Sequence, residues 1–158
     1  MVALNTWQQH RIAKMVVEKL FGTVTGKRLA ILGFAFNADA NDTREAPAIR
    51  ICRDLLEEGA QLAIHDPKVA AQQMVRALQQ EAAPQADSLS GTGGWLQAGS
   101  VEEAVTGADA VLVLTEWQQY RDLNWMDLAG RMRKPAWVFD ARAVADSERV
   151  RVAGLTLW

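Results

Sequence analysis

Apolar and polar positions along this chain alternate between two periods. Ile12, Met15, Val16, Lys19 and Leu20 keep near-helical spacing, which predicts a helix over Asn5–Gly22, with Asn5 or Thr6 as cap and Gly22 as stop. From Arg28 short unbroken apolar runs take over. Arg28–Leu32 reads as a strand stopped by Gly33. A helix Arg44–Glu58 follows, with Asp42 or Thr43 as cap, carrying Ile49, Cys52, Leu55 and Leu56 on one face and closed by Gly59. Gln61–His65 is a second strand ending at Asp66-Pro67, then a helix about Val69–Gln80, then an Ala-, Ser-, Gly- and Pro-rich loop Glu81–Gly94. Trp95–Ala98 predicts a short strand. Ser100–Val105 predicts a short helix with Ser100 and Glu103 as a capping box. Ala108–Leu114 is the most apolar run and predicts a central strand buried on both faces. One or two short helices in Glu116–Gly130, a buried strand Ala136–Phe139 closed by Asp140, and an edge strand in Leu155–Trp158 complete the pattern.

Strands alternating with helices at this spacing predict an α/β fold, Rossmann-like and doubly wound, with a mostly parallel sheet of about five or six strands joined by right-handed crossovers. In such sheets ligands bind outside the carboxyl ends of the strands. That rule selects Gly33–Asn37, His65–Lys68, Thr115–Trp117 and Asp140–Arg142, each a polar or aromatic stretch directly after an apolar run.

Composition narrows the class. The 158 residues are 49% hydrophobic and 23% charged, with a formal net charge of −2, so one soluble globular domain is expected, with no global attraction to nucleic acid or an anionic membrane. No apolar run reaches the roughly 20 residues of a membrane span, and the N-terminus lacks a signal-peptide pattern. The single cysteine, Cys52, excludes an internal disulfide, fits a reducing cytoplasmic setting and reads as a packed thiol rather than a nucleophile.

The candidate chemistry is that of binding. A strand, a loop and a helix start in Lys27–Pro47 make a place to hold an anion, with Arg44 paired either to Asp39, Asp42 and Glu45 or to a phosphate. The glycine fingerprint of a dinucleotide site is missing, because Ala35 and Ala38 stand where glycines belong. Phe34 and Phe36 either plug the core, which periodicity favours, or wall a flat ring or sugar. Asp66 reads as a turn opener rather than a ribose-binding acid, and His65 has no second metal-type ligand at a useful spacing. Arg142 either pairs with Asp140 or Asp146 or points into the ligand crevice. No nucleophile–base pair stands out. The six tryptophans read as core and interface bulk, with Trp95 and Trp158 as the two that alternatively mark a partner surface.

Four runs in register, GFAFNADANDTREAPAI (Gly33–Ile49), HDPKV (His65–Val69), TEW (Thr115–Trp117) and FDAR (Phe139–Arg142), make the chain similar to the C-terminal domain of UDP-glucose 6-dehydrogenases, from about Asn5 to the end. Related UDP-sugar and GDP-mannose dehydrogenases share the layout. The resemblance implies that residues 1–26 are a connector helix from a middle domain and residues 27–158 a UDP-binding, Rossmann-like domain. It implies that Gly33, Phe34, Phe36, Asn37 and Arg142 contact UDP-glucose or a related nucleotide sugar, and that Arg44 reaches the NAD side of the assembled site. NAD is then a cofactor of the full-length enzyme, which oxidises UDP-glucose to UDP-glucuronate in two steps through a catalytic cysteine. The fingerprint and that cysteine motif are not in this sequence, so no catalytic residue, no metal and no dehydrogenase activity are expected of this chain alone. The implied partners are the rest of the dehydrogenase and a second copy in a weak homodimer, with no nucleic acid and no membrane. The sequence departs from the family's GFAFK and FDGRR at Asn37, Ala141 and Ala143, which leaves open another nucleotide sugar, as in GDP-mannose or UDP-N-acetylhexosamine dehydrogenases, or a non-catalytic nucleotide-sugar-binding module.

Overall fold

Short apolar runs bounded by Gly or by Asp-Pro are too brief for helices and too apolar for loops, so they pair. The computed structural model of the chain describes residues 6–20, 22, 24, 26–34, 47–67, 69–78, 93–115, 118–133, 136–140 and 145–157. Among them are six strands: β1 Arg28–Leu32, β2 Gln61–His65, β3 Trp95–Gln97, β4 Ala110–Val113, β5 Trp137–Asp140 and β6 Thr156–Leu157. They form one sheet in the order β3-β2-β1-β4-β5-β6, and every pairing is parallel. All four residues of β4 are buried, as are the last four of β1, which fits their places in the middle of the sheet with a helical layer over each face.

The helices are α1 Thr6–Lys19, α2 Pro47–Glu57, α3 Ala71–Leu78, α4 Val101–Val105, α5 Trp125–Arg131 and α6 Ser147–Val152, with a 3-10 turn at Gln118–Tyr120. α2 touches both α1 and α3, while α5 touches both α4 and α6. Right-handed crossovers put α2 and α3 on one face, because β1 to β2 to β3 steps one way, and α4, α5 and α6 on the other, because β3 to β4 to β5 to β6 steps back. Ala13, Val16 and Leu20 bring α1 into the same continuous core as the sheet.

The ends of these helices are closed by the residues their positions require. Lys27 Nζ donates to Leu20 O at 2.9 Å, so a cation meets the negative end of α1. α2 stops where Gly59 adopts φ +88°, which lets the Ala60 amide donate back to Leu55 O at 3.1 Å. Ser100 Oγ accepts the Glu103 amide at 3.0 Å, and Glu103 Oε2 reaches back to accept the Gly99 amide at 2.7 Å. The capping box forms, shifted by one residue on its return arm.

Two readings of the sequence change here. Trp95 is 1% exposed and belongs to the core, so it marks no partner surface. α6 was not expected. Asp146 caps it by accepting the amides of Glu148 and Arg149, yet only Val150 of its six residues is buried, too little to create an apolar period. The proposed caps Asp42 and Thr43, residues 81–92 of the expected loop, and Trp158 lie outside the described residues.

Candidate functional site

β1 and β4 lie side by side, and their outgoing connections lead to opposite faces of the sheet. In doubly wound sheets ligands bind outside the carboxyl ends of the strands at such a reversal, here next to the ends of β1 and β4. The described residues nearest those ends are Gly33 and Phe34 after β1, His65 closing β2 and Asp66 after it, Thr115 after β4, and the 3-10 turn that ends in Tyr120.

Gly33 carries the closest approach. It has φ +101°, a region that side-chain-bearing residues avoid, and a Cβ built on it would stand 1.9 Å from Thr115 Oγ1. Here glycine is required twice, by conformation and by space. Its amide donates to His65 O at 2.7 Å, which extends the β1–β2 ladder by one rung.

Phe34 is fully buried in the core, and its amide donates to Asp66 Oδ2 at 2.7 Å. Asp66 opens a turn, as the sequence suggests, but it is itself buried and also latches the loop after β1 to the end of β2. A carboxylate accepting a buried amide makes the stronger, charge-assisted kind of hydrogen bond.

His65 and Tyr120 form a second latch. The Tyr120 hydroxyl donates to His65 O at 3.0 Å, and its oxygen lies 2.9 Å from His65 Nδ1, with the rings edge to face at 5.7 Å. A phenol has one proton. With that proton given to the carbonyl, Nδ1 must carry its own hydrogen and donate it to the phenol oxygen. Nε2 is then the lone-pair nitrogen of a neutral ring. Burial lowers the His65 pKa below its ordinary value, offset in part by the charges of Asp66 and Glu102, and this favours that neutral state. Burial and the nearby Asp66 charge raise the Tyr120 pKa, so the phenol keeps its proton.

Thr115 is 4% exposed, and its Oγ1 has no hydrogen-bond partner among the described residues. On the far side of β4, Asp140 Oδ2 accepts the Ala145 amide at 2.7 Å, which turns the chain after β5 toward α6. Cys52 is wholly buried on α2, and burial pushes its thiol pKa far up, so it is a packed thiol and no nucleophile. Among the described residues no three His, Cys, Asp or Glu side chains are grouped to hold a metal ion, and no helix is long and apolar enough to cross a membrane.

Of the residues singled out in the sequence, Gly33 and Phe34 stand at the carboxyl end of β1, and Phe36, Asn37, Arg44 and Arg142 lie outside the described residues. Tyr120 was missed. It is the chain's one tyrosine, placed a few residues past a strand end, and that was the available sign. The loop after β1 does not fit a dinucleotide pyrophosphate held in the usual way. Ala35 and Ala38 replace the glycines, and the Phe34 amide is already committed to Asp66.

Sheet order, helix placement and the reversal beside β1 define a Rossmann-like, doubly wound α/β domain. Residues 30–147 match the family model for the UDP binding domain of the UDP-glucose/GDP-mannose dehydrogenase family, and the chain belongs to that family. It is 38% identical to UDP-glucose 6-dehydrogenase 4 of Oryza sativa subsp. japonica over 99% of its own length and 34% of the relative's. It is 41% identical to the UDP-glucose 6-dehydrogenase of Pongo abelii over 92% of its own length and 29% of the relative's. The chain thus spans about a third of the length of the curated relatives it matches. Among solved structures, a UDP-glucose dehydrogenase from the archaeon Pyrobaculum islandicum superposes with a TM-score of 0.64 at 24% identity, covering 96% of this chain and 29% of that one. The NDP-N-acetyl-D-galactosaminuronic acid dehydrogenase of Methanosarcina mazei Go1 gives 0.71 at 23% identity, over 97% and 28%. At these identities the two structures speak for the fold.

Proposed function

We propose that this chain is the UDP-binding domain of a UDP-glucose 6-dehydrogenase and that its ligand is UDP-glucose, held in the crevice between the loops following β1 and β4. The observation that carries this reading is the family match over residues 30–147, which runs through the strand ends that border the crevice. In this reading Gly33 and Phe34 border the ligand with their amides already donated to His65 and Asp66, Phe36 and Asn37 face the sugar nucleotide, and Arg142 supplies the cation across from them. Arg44 faces NAD, which is held by another part of the dehydrogenase. Residues 1–26 are the connector from a middle domain, and the oxidation of UDP-glucose to UDP-glucuronate needs the parts of the enzyme that this chain does not align with. The setting is cytoplasmic.

The test is thermal unfolding with added ligand. A ligand at about 100 times its Kd stabilises by roughly 2.7 kcal/mol, several degrees for a domain of this size. UDP or UDP-glucose should raise the melting temperature, NAD alone should not, and Arg142→Ala should abolish the rise. No shift with any uridine nucleotide at millimolar concentration sinks the proposal.

A second reading has its own observation. Asn37 stands where the family's GFAFK run has lysine, and an amide lacks the charge that makes an ammonium's bond to a neutral sugar hydroxyl roughly twice as strong. A ligand other than UDP-glucose follows, bound by an equivalent domain or by a non-catalytic module. A panel of GDP-mannose, UDP-N-acetylhexosamines and UDP-glucose separates these, since the true ligand gives the largest shift.

A further inference from the structure

The strand ends that border the crevice have spent nearly all their described polar groups on one another. The Gly33 amide serves His65 O, the Phe34 amide serves Asp66, the Tyr120 hydroxyl serves His65 O, and His65 Nδ1 serves Tyr120. The Thr115 hydroxyl differs. It is buried and, among the described residues, has no hydrogen-bond partner. A buried hydroxyl left unmade lowers stability, and valine, of the same shape, would remove that cost. Something other than the stability of the free chain must account for the oxygen.

Its position supplies the account. Thr115 comes two residues after the end of β4, and its side chain packs against Gly33 at the strand ends where the order of the sheet reverses. The missing side chain at Gly33 is what leaves room for the hydroxyl and brings it next to the bare backbone of the neighbouring strand end. A ligand entering at the switch point of a doubly wound sheet meets these two residues together.

We propose that Thr115 is a ligand-contacting residue, whose hydroxyl donates to a phosphoryl oxygen of the nucleoside diphosphate bound in this crevice. The inference rests on the nucleotide-sugar reading above and names a further contact within it. A phosphoryl oxygen is the partner of choice because an O–H donated to a charged oxygen makes the strong kind of bond in a dry site. No bond is broken and no proton changes owner.

The experiment compares the chain with Thr115→Val and Thr115→Ser, by calorimetric titration with UDP and by thermal unfolding without ligand. Thr115→Val should bind UDP about tenfold more weakly or worse. Its unliganded melting temperature should stay the same or rise, because the variant removes an unsatisfied polar atom and keeps the shape. Thr115→Ser should melt lower for want of its methyl group and still bind UDP nearly as well as the original chain. A merely structural hydroxyl would give the reverse, a Thr115→Val that melts lower. That result overturns the inference, as does equal UDP affinity in the original chain and Thr115→Val, or a Thr115→Ser that binds as poorly as Thr115→Val. If the original chain binds UDP and only the Thr115→Val effect is missing, the nucleotide-sugar reading survives. If the original chain does not bind UDP at all, both fall.

Discussion

Gly33 is where two restrictions coincide, a positive φ and a hydroxyl 1.9 Å from where a Cβ would go. Gly33→Ala meets both, with backbone strain and overpacking each costing on the order of 1–3 kcal/mol, so a loss of at least about 2 kcal/mol is expected in urea unfolding. A loss under about 1 kcal/mol would mean that Thr115 moves aside freely. His65 gives a different kind of expectation. Its folded pKa lies below the ordinary 6.5, so the unfolded chain binds the proton more readily. Its contribution is fully present above about pH 6.5 and declines as pH falls from there through the lowered folded value. The stability gap between the chain and His65→Gln should therefore narrow between about pH 7.5 and 5.5, as followed by thermal unfolding at a series of pH values. A constant gap would show that burial does not set the histidine's charge state.

At the scale of elements, what the sequence disclosed follows from how each element is bounded. β1 and β2 are found at the residues expected, because Gly33 ends one and Gly59 and Asp66-Pro67 bracket the other. β4 is shorter than its apolar run: Leu114 adds one last rung by donating its amide to Leu32 O at 3.0 Å, while Ala108 is buried ahead of the strand. α4 was legible from its cap alone. α6 has a good cap in Asp146 but one buried residue, and a helix that shows water five of its six side chains carries no period to read. The candidate site was legible as a place and not as a network. Sequence position puts Gly33, His65 and Thr115 at strand ends. It cannot show that Phe34 and Asp66, 32 residues apart, share a hydrogen bond, or that Tyr120 reaches back 55 residues to His65. Those pairings exist only once parallel register has brought the ends of β1, β2 and β4 level.

Across the whole molecule, the sheet is assembled from pairings distant in sequence. β1 alone joins β2 and β4, and at its amino end the Arg28 amide donates to Asp109 Oδ2 at 3.1 Å across 81 residues. Asp109 in turn donates its amide to Arg28 O at 2.7 Å and holds Arg133 at 3.7 Å, so the end of the sheet opposite the crevice is tied as well. Both ends of the central strand are thus fastened, the amino end to Asp109 and the carboxyl end to His65 and Asp66. One consequence concerns time rather than geometry. The Gly33 and Phe34 amides follow a strand, yet each is donated to a buried residue at the end of β2, His65 or Asp66. In deuterated water they should exchange as slowly as the amides of β1 itself, released only when the sheet opens as a unit. Exchange at the rate of a free loop, seen residue by residue by NMR, would contradict this. Otherwise the first two residues after β1 belong, kinetically, to the sheet.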